Sequence, residues 1–232
     1  MFEFKTIASS SFGNCCYLRT HDACGLIDIG VQWKRVQQFL DYRASSLDFV
    51  LVTHRHLDHA KCIKDAIRSG IDVYAIQDVW NSNNINSHRA HTIDPMEQFH
   101  VKSITVLPFP VPHDVENVGF LIADGKGEKL LYLTDCRYSP FSFRGVTTFA
   151  VEANHSRKLL RESVNEGHVH PSLAHRVRWN HMSLETLQRM LAANDLSRAE
   201  EIRLLHLSDD NSDEEGFVQA VEEQTGIPTY AE

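Results

Sequence analysis

Three histidines and one aspartate lie within six positions of the segment LVTHRHLDHAKC, and they are the ligand types that bind divalent metals. These residues, His54, His56, Asp58 and His59, follow an apolar run, LDFVLV, that is typical of a buried strand. A loop leaving such a strand can direct its first two histidines to one side and Asp58 with His59 to the other, which gives two ligand clusters. Imidazole nitrogens and carboxylate oxygens suit zinc, manganese or iron. A charged loop in solvent is the alternative, but this spacing is rare by chance, so the segment predicts a dinuclear metal site.

Further candidate ligands stand at the ends of other predicted strands. They are Asp28 in LIDIG, His113 in VPHD, Asp135 in YLTD and His206 in LLHLS. A single histidine at the end of a strand is often only a satisfied polar group. A two-metal hydrolase needs ligands from several strand ends, however, so the order of these residues in the chain favours a metal-binding role.

The elements that must position these residues follow from the hydrophobic pattern. Helical spacing is found in VQWKRVQQFLDY, AKCIKDAIRSG (ending at Gly70), SLETLQRMLAAN and DEEGFVQAVEEQTG. The predicted strands are FEFKTIA, CCYLRT, CGLID, LDFVLV, IDVYAI, FHVKSITVLPF, VGFLIAD, KLLYLTD, TTFAVEA, IRLLHLS and IPTYA. The pattern predicts a mixed α/β fold in a single domain over residues 1–232.

Composition limits the classes of protein to which the chain can belong. No apolar run reaches the length of a membrane span, and the first residues lack the pattern of a secretory signal. Five cysteines without metal or redox spacing indicate reduced thiols, so a cytoplasmic protein without disulfides and without a membrane partner is expected. The net charge of −8 argues against a uniformly basic surface, but residues 136–182 carry seven Lys or Arg against three Asp or Glu.

The order of the motifs resembles that of the metallo-β-lactamase fold superfamily over nearly the whole chain. In that superfamily an early strand ends in Asp, and HxHxDH, a lone His, an Asp after a strand and a late His follow. The resemblance implies a four-layer αββα sandwich that binds two divalent ions, zinc or manganese. It implies that one ion is bound by His54, His56 and His113, that the other is bound by Asp58, His59 and His206, that Asp135 bridges them, and that Asp28 orients the histidines.

Later motifs resemble one branch of the superfamily. WNHMS, which contains His181, and HLSDDN resemble motifs of the nucleic-acid-processing branches, including ribonuclease Z and ribonuclease J. Together with SSFGNCCYL, THRHLDHAKC, VYAIQDVW and EANH they resemble the small YycJ-type exonucleases of bacteria and phages. This chain differs in having Asn180 where that family usually has Gly, Met182 in place of a Leu, and Phe12 before Gly13. The resemblance implies a two-metal phosphodiesterase, a DNA exonuclease that works from the 5′ end with a metal-bridging hydroxide, and Asp58, Asp135 and His181 as its catalytic residues.

Residues near His181 are candidates for substrate contacts. His181 is suited to hydrogen-bond the scissile phosphate or to protonate the leaving oxygen, although it is also placed to cap the helix SLETLQRML. Arg176 and Arg178 in the basic block can bind phosphate, and Trp179 can stack on a base. Asn154 and His155 follow a predicted strand and are expected to line the cleft.

Other functions of the same ligand set remain open. The alternatives are a hydrolase of small phosphodiesters, thioesters or lactones, and an RNA-processing nuclease. A diiron redox protein of the same fold is disfavoured, because such proteins resemble HxExD, with Glu where this chain has His56. The sequence leaves open DNA or RNA as substrate, the polarity of cleavage, the native metal and the oligomeric state.

Overall fold

The structure is a computed structural model that describes residues 2–232. The chain divides into two compact units. Unit 1 contains the residues up to Pro110 together with Phe120–Glu128, and unit 2 contains Val111–Gly119 together with Lys129–Glu232. The strands form two sheets accompanied by helices, which confirms the mixed α/β class. The single domain over residues 1–232 stays a prediction, and its first residue lies outside the described part of the chain.

Unit 1 contains a six-stranded sheet whose strands are neighbours in chain order. Its strands are β1 (Glu3–Ser10), β2 (Gly13–Arg19), β3 (Cys24–Ile27), β4 (Phe49–Val52), β5 (Asp72–Ala75) and β6 (Ala90–Thr92). The first three strands pair antiparallel, and β3 to β6 pair parallel. Strands β3 and β4 are largely buried, as their continuous apolar runs require, and their carboxyl ends lead into Asp28 and His54.

Four α-helices, a short 3₁₀ helix (Ala44–Ser46) and three further strands complete the elements described in this part of the chain. The helices are α1 (Trp33–Phe39), α2 (Leu57–Ala60), α3 (Ile63–Arg68) and α4 (Gln77–Asn83), and the strands are β7 (Phe99–Val101), β8 (Ile104–Pro110) and β9 (Val118–Ala123), the last of which begins in unit 2. Two predictions were wrong in detail. The helix predicted up to Gly70 is interrupted at Cys62, and the strand predicted over FHVKSITVLPF is the antiparallel hairpin β7–β8, which turns at Lys102.

Unit 2 contains four parallel strands that are neighbours in chain order. They are β10 (Lys129–Leu133), β11 (Thr148–Glu152), β12 (Glu201–Leu205) and β13 (Thr229–Ala231), and the helices are α5 (Arg157–Asn165), α6 (Pro171–Asn180), α7 (Leu184–Ala192) and α8 (Glu214–Thr225). Parallel strands present their carboxyl ends at one edge of a sheet. Asp135, Glu152 and His206 therefore follow or end three neighbouring strands at the same edge.

Three residues that follow strands have a left-handed backbone although none is glycine. The φ angles are 60° at Asp28, 49° at Asp135 and 56° at His206. Such angles are uncommon outside glycine, and Asp and His tolerate them better than most residues do. The chain therefore bends sharply where each of these side chains leaves its sheet.

The lengths of the helices and the positions of the cysteines complete the description of the fold. Within residues 2–232, none of the helices is both long enough and apolar enough to cross a membrane. All five cysteines are free thiols, and four of them are buried.

Candidate metal centre

The metal motif of unit 1 begins where β4 ends. His54 is fully buried, and its Nε2 lies 3.0 Å from Nδ1 of His56, whose ring stands nearly perpendicular to its own. On the other side of the His54 ring, Nδ1 contacts Oγ1 of Thr53 at 3.0 Å. Two imidazole nitrogens that face each other at this distance either share one proton or bind one cation.

Hydrogen bonds on both ring nitrogens fix the orientation of His59, a predicted metal ligand. Its ring is fully buried, and Nδ1 lies 2.8 Å from Oδ2 of Asp28. The side-chain amide of Asn14 lies 2.9 Å from the opposite nitrogen, Nε2, and Oδ2 of Asp58 lies 3.6 Å from it. One tautomer satisfies these contacts, with the proton on Nδ1 and the lone pair on Nε2. A carboxylate that fixes a histidine in this way is common behind metal-ligating imidazoles.

Asp28 is itself tightly bonded and buried. Besides His59, its carboxylate accepts hydrogen bonds from the backbone N–H and from Oγ1 of Thr53, both at 2.9 Å. These bonds compensate the burial of a charge that would otherwise be costly. They also tie the end of β3 to the end of β4, where the metal motif begins.

In unit 2 the predicted ligand His113 lies beside carboxylates. Its Nδ1 is 3.2 Å from the carbonyl oxygen of Asn180, and its Nε2 is 3.2 Å from Oδ1 of Asp114 and 4.0 Å from Oδ2 of Asp135. Burial lowers the pKa of His113, although Asp135 and Asp114 oppose the shift. The neutral imidazole that results is the form that binds metal.

Glu152, at the end of β11, contacts two histidines of unit 2. We call Asp135, Glu152, His181 and His206 the unit 2 cluster. Oε1 of Glu152 lies 2.6 Å from Nδ1 of His181 and 3.1 Å from Nδ1 of His206, and its Oε2 accepts hydrogen bonds from the backbone N–H groups of Cys136 and Met182. Burial alone would raise the pKa of Glu152, but the two imidazoles more than offset this effect and hold the pKa below its ordinary value. The carboxylate is thus ionised and orients both histidines.

Glu152 is a residue that the sequence reasoning missed. The motif EANH, which begins with Glu152, contributed only to the family resemblance. The sequence alone predicted no role for Glu152. One signal was available: Glu152 is a charged residue at the end of the apolar run TTFAVEA, where Asp135 and His206 occupy the equivalent places of neighbouring strands. Ligand-type atoms of Asp135, Glu152, His181 and His206 all lie within 4.8 Å of one another.

His181 does not cap the following helix. His181 is the C-cap of α6 and has an extended backbone. The N-cap of α7 is Ser183, whose Oγ accepts a hydrogen bond from the backbone N–H of Thr186. The cap alternative for His181 is therefore wrong. Its ring is directed by Glu152 and packs 5.1 Å, centroid to centroid, from that of His206.

The predicted substrate contacts fall into different environments. Asn154 is buried, and its side-chain amide donates a hydrogen bond to the carbonyl oxygen of His206 at 2.9 Å. His155 is also buried and lines a cavity together with Arg178, whereas Arg176 is exposed and does not line that cavity. Trp179 is 52% exposed, and the guanidinium of Arg137 lies 3.9 Å from its ring centroid.

The donors of both units fit divalent metals. Each unit contributes histidine nitrogens and carboxylate oxygens without a thiolate, a set that suits zinc or manganese. In each unit a buried carboxylate contacts Nδ1 of a predicted ligand, Asp28 on His59 and Glu152 on His206, so Nε2 of each imidazole is the nitrogen that would ligate a metal.

Comparisons with known proteins agree with this donor pattern. The chain is 25% identical over 226 residues to the exodeoxyribonuclease WalJ of Streptococcus pneumoniae serotype 2, which covers 91% of this chain and 83% of the relative. It is 28% identical over 172 residues to the exodeoxyribonuclease YycJ of Bacillus anthracis, which covers 68% of this chain and 65% of the relative. These matches confirm the resemblance to YycJ-type proteins.

A solved structure has the same fold. The metallo-beta-lactamase fold protein YhfI from Bacillus subtilis superposes with a TM-score of 0.78 at 16% identity, and the superposition covers 100% of this chain and 97% of that one. The family model of the beta-lactamase superfamily domain matches residues 26–207, a range that includes every predicted metal ligand. The chain therefore belongs to the beta-lactamase superfamily.

Proposed function

We propose that this chain is a two-metal-dependent phosphodiesterase that degrades DNA as an exonuclease, from the 5′ end. Its family and relatives identify it at the coarser level, as a metal-dependent hydrolase. Two relatives that are named exodeoxyribonucleases support DNA as the substrate. The structural observation that carries the proposal is the contact of 2.6 Å between Glu152 and His181, because it prepares a histidine outside the predicted ligand set for acid catalysis.

The proposed ligands are the residues predicted from the sequence. His54, His56 and His113 bind one ion, Asp58, His59 and His206 bind the other, and Asp135 binds both. When bound, the ions supply an activated water nucleophile and neutralise negative charge on the phosphate. Zinc and manganese are the proposed metals.

His181 is the proposed general acid. Its Nδ1 is fixed on the ionised carboxylate of Glu152, so Nε2 is the nitrogen proposed to act on the substrate. A neighbouring negative charge stabilises the protonated imidazole, which then transfers its proton to the leaving oxygen of the cleaved strand. Glu152 positions His181 and stabilises its charge without contacting substrate.

End-labelled substrates test this function. Metal-loaded protein is incubated with single- and double-stranded DNA and RNA labelled at either end, under zinc and under manganese, and product length is followed with time. A 5′ label released as a mononucleotide at the earliest times, with a 3′ label on progressively shorter strands, supports the proposal. Cleavage of RNA alone, internal cleavage, or hydrolysis of only a small phosphodiester, thioester or lactone contradicts it.

A further inference from the structure

A cavity of about 430 Å³ in unit 2 adjoins His181 and is rich in arginine. The residues that define its chemistry are Arg137, Arg157, Arg161, Arg178, His155 and His181. Four guanidinium groups around one cavity repel each other, so their clustering favours a ligand with negative charge. We call these four residues the arginine cluster.

Most of the arginine cluster has no protein counter-charge. Throughout residues 2–232, no carboxylate forms an ion pair with Arg137, Arg161 or Arg178, whereas Nε of Arg157 lies 3.9 Å from Oε2 of Glu185. The cluster thus presents more positive charge than its neighbours neutralise. The planar guanidinium group of one arginine can donate two parallel hydrogen bonds to two phosphate oxygens. The ammonium group of lysine cannot reproduce this geometry.

A buried group at the cavity points independently to a ligand. His155 is only 2% exposed, it lines the cavity, and its Nδ1 has no hydrogen-bond partner in the described part of the chain. Buried polar atoms are almost always paired, so this nitrogen indicates a missing partner.

The two helices that present the arginines are packed together. Arg157 and Arg161 lie one turn apart on α5, and Arg178 lies near the end of α6. The helices enclose a small core of Leu160, Val169 and Ala174. Three of the four arginines are therefore carried on packed helices, whereas Arg137 lies in the loop between β10 and β11.

We propose that the arginine cluster and His155 bind a second phosphate group of the nucleic-acid strand whose scissile phosphate reacts at His181. This assignment rests on the proposed function and extends it by naming a subsite. The bound group is either a terminal phosphate monoester or an internal phosphodiester, because both offer the same oxygens to guanidinium forks.

Kinetics of Arg161→Ala, Arg178→Ala and the double variant test the subsite. The substrates are oligodeoxynucleotides with a 5′ phosphate, a 5′ hydroxyl or a 3′ phosphate, and the controls are Lys158→Ala, an exposed residue of α5 that does not line the cavity, and Arg198→Ala. We expect each subsite variant to raise KM by about tenfold or more with kcat within about threefold of wild type. Each should also lower the slope of log affinity against log salt by about 0.7 to 0.9, the share of one phosphate contact. Unchanged melting temperatures show that the variants fold.

The outcomes distinguish a terminal phosphate from an internal one. They also distinguish failure of the subsite proposal from failure of the proposed exonuclease function. A wild-type preference for 5′ or 3′ phosphorylated ends that the variants lose supports a terminal phosphate at that end, and an equal loss on all three substrates supports an internal one. Variants that behave like the controls overturn the subsite while leaving the exonuclease in place. A wild-type protein that binds inorganic pyrophosphate through Arg161 and Arg178 but cleaves no nucleic acid overturns the proposed function and, with it, the strand phosphate as ligand.

Discussion

At the scale of single residues, Glu152 is the group on which the unit 2 cluster depends. It contacts two imidazoles and accepts from two backbone N–H groups while fully buried. Replacing it with Gln keeps its volume but removes the charge that favours protonated His181. We expect Glu152→Gln to lower turnover by about tenfold to a hundredfold and to move the alkaline limb of the pH–rate profile, where His181 loses its proton, to lower pH. A profile that keeps the wild-type shape would show that Glu152 serves only the fold.

His181 has a matched control two residues away. We expect His181→Ala to retain metal and melting temperature but to lose about a hundredfold or more in single-turnover cleavage, the scale of general-acid catalysis. Ser183→Ala removes the true cap of α7 and should cost about 1 kcal/mol of stability with little effect on rate. A near wild-type rate in His181→Ala removes it from the catalytic residues.

The lowered pKa of His155 predicts part of the pH dependence of the free energy of unfolding. Burial lowers its pKa from 6.5 to about 4. Because the folded state favours neutral His155, this contribution to stability is complete above pH 6.5 and is lost as the pH falls through about 4. The free energy of unfolding should therefore depend less on pH between 6.5 and 4 in His155→Gln than in wild type, while exposed His88→Gln keeps the wild-type dependence. Equal slopes in denaturant titrations would contradict the shift.

Residue types and spacing were enough to predict the metal-binding motif, because HxHxDH is rare by chance. They were not enough for Glu152, since one carboxylate after an apolar strand resembles an ordinary strand end. The role of Asn154 also depends on three-dimensional proximity, because Asn154 contacts His206, 52 positions away in the chain. Sequence pattern at one position carries no information about such a partner.

At the scale of elements, the segment after β3 packs closely against α2, which carries the predicted ligands Asp58 and His59. Gly30 lies so close to the backbone of Asp58 that a Cβ would stand 1.6 Å from its carbonyl oxygen. Only glycine allows that approach, because backbone cannot yield as a flexible side chain does.

Gly30→Ala should therefore displace the loop that carries Asp58 and His59. We expect a loss of several kcal/mol of stability, as for other severe overpacking, together with a loss of bound metal. Gly70→Ala is the control, because its Cβ would meet open space and only its φ of 85° is strained, a cost of about 1 kcal/mol. Calorimetry and elemental analysis measure both effects, and equal behaviour of the two variants would contradict the close approach.

Elements with strong periodicity were predicted well, and elements that depend on a turn were not. Helices α7 and α8 and the strands β10 to β12 match their predicted segments. The β7–β8 hairpin was missed because its turn contains Lys102 at a φ of 50°, without the Gly or Asn that usually signals such a turn. The break between α2 and α3 was missed because no Gly or Pro marks it.

At the scale of the whole molecule, metal should contribute to stability as well as to catalysis. Binding to the folded state alone stabilises a protein by about 2.7 kcal/mol when free metal is a hundred times its Kd. We expect two ions per chain in protein prepared without chelator, a lower melting temperature after chelation, and loss of metal in His56→Ala and Asp58→Ala. Elemental analysis that finds full loading in both variants contradicts their assignment as ligands.

The left-handed residues at the ends of three strands have a consequence for divergence within the fold. Asp28, Asp135 and His206 each combine a strained backbone, at about 1 to 3 kcal/mol apiece, with a side chain that the proposed metal site uses. A related protein that no longer catalyses hydrolysis would not need these side chains. Glycine at the same positions would then adopt the left-handed backbone without strain, and no other residue would have to change. Glycine at positions 28, 135 and 206 of a related chain is therefore a signature of a former enzyme that now serves as a scaffold or receptor.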